Sequence, residues 1–211
     1  MPKLTKEEEE KRLLSLWEIE GALLKNNISP IAGVDEAGRG PLAGAVYAAA
    51  VILPPFEKIP YLNDSKKLSE KRREELYDII CERALAYAVA TASPEEIDGI
   101  NIRNATYLAM NRAIGKLKET PGYVLVDGDA ITNCAIAHEC VIKGDAKSAS
   151  IAAASILAKV SRDRYMKELD EKYPEYQFAK HKGYGTALHI EMLKKYGPCE
   201  EHRRTFIKKF V

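Results

Sequence analysis

Asp35 and Glu36 stand side by side at the end of a short apolar run, Ile31-Ala-Gly-Val, and pass at once into Ala37-Gly38-Arg39-Gly40-Pro-Leu-Ala-Gly44. Two further acids occupy comparable places: Asp127 closes the apolar run Tyr123-Val-Leu-Val, and Asp145 lies in Lys143-Gly-Asp, where a strand turns into a helix. Each acid taken singly reads as a turn former. Four carboxylates at the edges of neighbouring elements repel one another unless cations sit among them. Ligands that are all oxygen select Mg²⁺ or Mn²⁺ over zinc, and two such ions bridging a phosphate suit in-line displacement. Phosphodiester hydrolysis is therefore the expected chemistry. Consecutive strand residues face opposite ways, so Asp35 and Glu36 share a site only if the backbone bends, and Ala37-Gly38 is expected to supply that bend. Donors for phosphate oxygens are Lys66, Lys67, Lys143, Lys147, Ser148 and Ser150, with a helix cap as the alternative role for Ser148.

The elements that must position these residues follow from periodicity and punctuation. A helix is expected from Thr5 to Lys25, opened by the capping box Thr5-Lys-Glu-Glu8 and carrying Leu13, Leu16, Trp17, Leu23 and Leu24. It reads as a brace without chemistry of its own. Strands are expected at Ile31, over 45–53, 86–92 and 123–127, the last buried on both faces, and over 135–142. Ser69 caps a helix, Ser93-Pro94-Glu95-Glu96 opens another, and a helix over 102–118 stops at Pro121-Gly122. A long helix over 147–172 contains Ala149-Ser-Ile-Ala-Ala-Ala-Ser-Ile-Leu-Ala158, whose small residues imply close approach to the sheet. A loop over 176–185, a helix over 187–196 and a last basic helix follow. The order reads as an α/β fold with a helical tail, divided into an N-terminal helix (1–28), a central domain (29–173) and a C-terminal helical substrate-binding extension (174–211).

Composition excludes several classes. With 211 residues, 46% apolar and 30% charged, the chain is an ordinary globular sequence. It has no apolar stretch of membrane length and no signal-peptide core, so a cytoplasmic location and no membrane partner are expected. Its four cysteines form no Cys-x-x-Cys pair and are read as reduced and structural. Net charge is +1, but residues 1–142 carry 17 Lys+Arg against 22 Asp+Glu while residues 143–211 carry 15 against 9. The C-terminal third is thus the candidate polyanion surface, part of it explained by a solvated face on which Arg162, Arg164 and Lys167 alternate with acids.

Together, Asp35-Glu-Ala-Gly-Arg-Gly-Pro, Asp64-Ser-Lys-Lys-Leu, Val126-Asp-Gly, Lys143-Gly-Asp with Lys147-Ser-Ala-Ser-Ile-Ala-Ala-Ala-Ser-Ile-Leu-Ala-Lys, and Lys182-Gly-Tyr-Gly-Thr resemble bacterial ribonuclease HII, in order over residues 31–206. The resemblance implies a ribonuclease H-like mixed sheet flanked by helices, with a small C-terminal helical region. It implies that Asp35, Glu36, Asp127 and Asp145 are the metal-binding catalytic acids, holding two Mn²⁺ or Mg²⁺ ions. Gly38-Arg39-Gly40 matches the backbone motif that reads the ribose 2′-OH at an RNA–DNA junction, and Tyr184 the aromatic that packs on the adjoining sugar. The implied substrates are RNA–DNA hybrids and DNA duplexes containing ribonucleotides, in primer and ribonucleotide removal. Arg39 separates the chain from the related ribonuclease HIII proteins, where threonine is usual between the glycines. Ala45 and Ser161 depart from the proline and threonine commoner in the family. The C-terminal Phe206-Ile-Lys-Lys-Phe-Val lacks the glutamine of a sliding-clamp box, so no clamp partner is expected, and a monomer is.

Two nucleotide-binding readings fail on context. Gly38-x-Gly40-x-x-x-Gly44 runs into a strand and contains Pro41, and Gly144-Asp-Ala-Lys-Ser lacks the order of a P-loop. The alternative from another class is a non-enzymatic nucleic-acid-binding module, for which convergent carboxylates would be a liability.

Overall fold

The structure is a computed structural model that describes residues 5–211; the first four residues of the 1–28 segment lie outside it. Its helices are α1 (Lys6–Ser15), α2 (Glu18–Lys25), α3 (Glu70–Arg83), α4 (Pro94–Gly115), α5 (Ala149–Lys172), α6 (Phe178–His181), α7 (Ala187–Tyr196) and α8 (Arg204–Ile207). Five strands, β1 (Ile31–Ala37), β2 (Val46–Ile52), β3 (Ala86–Ala92), β4 (Tyr123–Asp127) and β5 (His138–Val141), form one sheet in the order β3-β2-β1-β4-β5. β1 is antiparallel to β2 and β2 to β3, whereas β1, β4 and β5 run parallel. The C-terminal ends of β1, β4 and β5 therefore lie on one edge.

Strand alternation divides the core into two layers. Ala32, Val34, Val46, Ala48, Ala50, Val124 and Val126 face α4, meeting Ala105, Ala109, Met110 and Ala113. Ile31 and Leu125 face α5 through Ile151, beside a layer that joins Ala49 and Val51 to Ala152, Ala153 and Ile156. α5 approaches so closely that a Cβ on Gly33 would lie 2.1 Å from the Ser150 carbonyl carbon. No helix among the described residues is long and apolar enough to cross a membrane.

Three expectations about elements need correction. The N-terminal helix is broken at Leu16-Trp17, because the Leu16 carbonyl accepts from Ala149 N (2.8 Å) and the Trp17 indole donates to Glu57 O (3.1 Å). By contrast, the helix expected from Ser93 and the one expected over 102–118 are both present, joined in α4 across a kink at Asn101 (φ 66°), whose side chain accepts from Asn104 N and starts the second segment. The final basic helix is only the four residues of α8, and the expected loop over 176–185 contains α6.

Candidate active site

Register brings two of the acids together. Val34 pairs with Val126, so Asp35 and Asp127 are the next neighbours on parallel strands, and both point to the α5 face. Asp145 joins them from the 3-10 turn Gly144–Ala146 that enters α5. One carboxylate oxygen from each of Asp35, Asp127 and Asp145 lies within 4.8 Å of the others. The turn also holds Asp127, whose Oδ1 accepts from Gly144 N (2.6 Å) and Asp145 N (3.4 Å). Lys143 makes that geometry by adopting a left-handed conformation (φ 58°). A Cβ on Gly144 would sit 2.6 Å from the Ile151 side chain and 3.2 Å from Asp127 Oδ1, so only glycine fits.

Glu36 stands apart from these three. β1 does not bend after Asp35 but runs on to Ala37, with Asp35 opposite Ala49 and Glu36 opposite Ala48. Alternation then sends the Glu36 side chain to the other face, where Oε1 lies 3.5 Å from Arg39 Nη1. It remains close enough for its charge to act on Asp35.

Electrostatics show what the gathering does. Burial, then the charges of Glu36 and Asp127, raise the Asp35 carboxyl well above its ordinary range. Burial and then Asp127 and Asp64 raise Asp145. In Glu36 burial raises the carboxyl, opposed by Arg39 and reinforced by Asp127. Lys66, exposed at the rim with its Nζ 3.6 Å from Asp145 Oδ2, is held more firmly protonated: burial works against its charge, but the fields of Asp145, Asp35, Asp64 and Asp127 prevail. Oxygen-only donors that repel one another and face a lysine are the donor set of a hard divalent cation.

The other sequence-derived candidates divide. Lys67, Lys143 and Lys147 are exposed near these turns, but Ser148 and Ser150 are not phosphate donors in this fold. Both are buried: Ser148 Oγ donates to Glu20 Oε1 (2.6 Å) and caps α5 through Ile151 N, while Ser150 N donates to the same Glu20 oxygen (3.0 Å). The N-terminal brace thus fills the open N–H groups at the start of α5. Glu20, fully buried, has its carboxyl pKa raised by burial. Gly38 to Gly40 form a turn beside Tyr184, which is 45% exposed and whose ring would lie 3.7 Å from a Cβ on Gly40.

Four polar residues escaped the sequence reading. Arg162, on the supposedly solvated face of α5, is buried beneath Gly38, where a Cβ would fall 2.1 Å from its Nε. It donates to Ala43 O (3.2 Å), Ala45 O (3.3 Å) and Lys182 O (3.0 Å). Arg203, equally buried, donates to Gly38 O (2.6 Å), Arg39 O (2.9 Å) and Gly44 O (2.9 Å). Ser65 and Ser155 share a buried hydrogen bond (2.8 Å) that ties the Lys66 turn to α5. Part of the positive charge of the tail therefore serves the fold. For Arg162 the only sequence signal was a cation one helical turn beyond the run of small residues that packs on the sheet.

Comparison with known proteins now decides the family: residues 32–210 match the model of ribonuclease HII. The chain belongs to the ribonuclease HII family. It is 56% identical over 195 residues to the ribonuclease HII of Caldicellulosiruptor bescii, which covers 92% of this chain and 95% of that one. The crystal structure of ribonuclease H2 from Pyrococcus horikoshii superposes with a TM-score of 0.72 at 28% identity, covering 85% of this chain and 96% of that one. The structure of the PCNA:RNase HII complex from Archaeoglobus fulgidus gives 0.71 at 28% identity, with 85% and 95% covered. This ribonuclease HII family member is a ribonuclease H-type endonuclease, and the non-enzymatic alternative is set aside.

Proposed function

We propose that this chain is a metal-dependent endonuclease that cleaves the RNA strand of RNA–DNA hybrids and incises 5′ of a single ribonucleotide in duplex DNA, leaving 3′-hydroxyl and 5′-phosphate ends. The observation that carries the reading is the convergence of three carboxylates on a strand edge next to Gly38–Gly40 and Tyr184.

Asp35, Asp127 and Asp145 would hold the cations, with Glu36 beside them. Two Mg²⁺ or Mn²⁺ ions bound there supply the positive charge that favours water attack on phosphorus and departure of the 3′-oxygen. Asp127 is kept in place by the Gly144 and Asp145 amides. Lys66, 76% exposed at its side chain, meets the phosphate backbone, joined by Lys67 and Lys143. Main-chain groups of Gly38, Arg39 and Gly40 read the 2′-OH, and Tyr184 packs on the following sugar and disfavours a second hydroxyl. Residues 174–211 act as a substrate-binding extension of the domain formed by residues 29–173. The enzyme works in the cytoplasm as a monomer.

The test is a labelled DNA duplex carrying one ribonucleotide, incubated with protein and Mg²⁺, Mn²⁺ or EDTA. Incision immediately 5′ of the ribonucleotide, present with either ion and absent in EDTA, is the expected result. An intact duplex alongside a cleaved all-RNA hybrid would remove the junction reading and leave the nuclease reading standing.

A further inference from the structure

Residues 202 and 203 reach, by two separate hydrogen-bond paths, both surfaces on which junction reading would depend. Arg203 spends its guanidinium on Gly38, Arg39 and Gly44 carbonyls, and its own N–H donates to Leu42 O (2.9 Å). His202 takes the other path. Its Nδ1 accepts from Cys199 N (3.0 Å), so its proton sits on Nε2 and is donated to His189 Nε2 (3.1 Å). His189 must then carry its own proton on Nδ1, which it donates to Tyr184 O (3.0 Å). His181, stacked on His189 with ring centroids 4.4 Å apart, accepts from Gly183 N at Nδ1 and from Tyr184 N at its carbonyl. The Tyr184 backbone is thereby gripped at both its N–H and its C=O.

His189, His202 and Arg203 are all buried. Burial lowers the pKa of His189 and His202 to about 4, which keeps both rings neutral, as this one-way chain of donors demands. Buried networks with every member paired fix one arrangement and resist drift.

We infer that the buried pair His202-Arg203 is a positioning element that sets the spacing between the Gly38–Gly40 main chain and Tyr184, and through it the discrimination between a single ribonucleotide and a continuous RNA strand. The inference rests on the proposed junction reading. A continuous RNA strand offers a 2′-OH at every position, so a small error in that spacing still finds a partner. A single ribonucleotide offers one hydroxyl and one following deoxyribose, and both must be met at once. A misplacement of about 1 Å is enough to cost large factors in rate.

The variant His189→Phe keeps a ring in the stack beside Phe178 and His181 but removes the donor to Tyr184 and the acceptor for His202. The full-length protein would be assayed for kcat/KM on a duplex with one ribonucleotide and on a hybrid with an all-RNA strand. The ratio of the two is expected to fall about tenfold while hybrid cleavage stays within about twofold. Equal losses on both substrates, or no loss on either, would overturn the inference. If circular dichroism shows that the variant does not fold, the imidazole ¹⁵N spectrum of the unaltered protein decides: His189 protonated at Nδ1 and His202 at Nε2 supports the inference, and the opposite tautomers overturn it. Failure of the unaltered protein to incise at the single ribonucleotide is visible before any variant is made and would bring down the junction reading and this inference together.

Discussion

Two regions of this molecule bury ionisable groups and treat them in opposite ways. At the strand edge, one carboxylate oxygen from each of Asp35, Asp127 and Asp145 lies within 4.8 Å of the others, and burial, reinforced by mutual repulsion, raises Asp35 and Asp145. Beneath Gly38–Gly40, Arg162 and Arg203 are buried just as deeply, yet each is surrounded by carbonyl acceptors, and the adjoining histidines form a chain in which each ring has a partner. The first region holds its charges at the expense of stability and is the one suited to bind a cation. The second is a satisfied polar core whose work is to hold loops in place. Substitutions should separate them: those at the edge should abolish activity without unfolding the chain, and those of the two buried arginines should cost stability first.

The largest effect is expected from Asp127→Asn or Asp145→Asn, with loss of hybrid cleavage by roughly a thousandfold or more and retained far-ultraviolet circular dichroism. Near-normal turnover by either variant would remove that residue from the site. Next in size, Arg203→Met leaves the Gly38, Arg39 and Gly44 carbonyls without their buried donors, and denaturant unfolding should report a loss of about 3–5 kcal/mol. A variant as stable as the parent would show that these bonds do not hold the turn.

Acid sharpens the contrast further. His189 and His202 titrate at about 4 when folded and near 6.5 when unfolded, so the unfolded chain binds protons first. Their contribution is fully present above about pH 6.5 and is lost as pH falls toward 4, by roughly 1.4 kcal/mol per pH unit for each histidine. Urea midpoints between pH 7 and 4.5 should fall accordingly, and the slope should shrink in His189→Phe. The smallest effect is expected from Ser148→Ala, which loses a cap and the bond to Glu20: about 1–2 kcal/mol of stability, with KM for a hybrid unchanged. A raised KM would return Ser148 to the phosphate-binding set.

What the sequence could disclose follows a physical line. β3 and β4 matched their expected bounds, as did α7, because period and punctuation are local properties. Asp35, Asp127 and Asp145 were visible as acids at element ends, and parallel strands carry such ends to one edge. The break at Leu16-Trp17 was hidden because it depends on a hydrogen bond to Ala149, far along the chain. Arg203 lies 165 positions from Gly38, and nothing near it in sequence distinguishes a buried fork from a surface cation. The bend expected after Asp35 is absent for a different reason: the glycine after Ala37 permits one, but ladder pairing with β2 keeps the strand straight through Ala37.

The central claim is that the three acids are held together against their own repulsion for a cation, and melting curves of the parent and Asp35→Asn in EDTA and in Mn²⁺ test it most directly. In EDTA the variant should melt higher by about 2–4 °C, as expected for relief of about 1 kcal/mol of repulsion in a chain of this size, and Mn²⁺ should raise the parent but not the variant. A variant that melts below the parent in EDTA, with neither responding to Mn²⁺, would contradict the account.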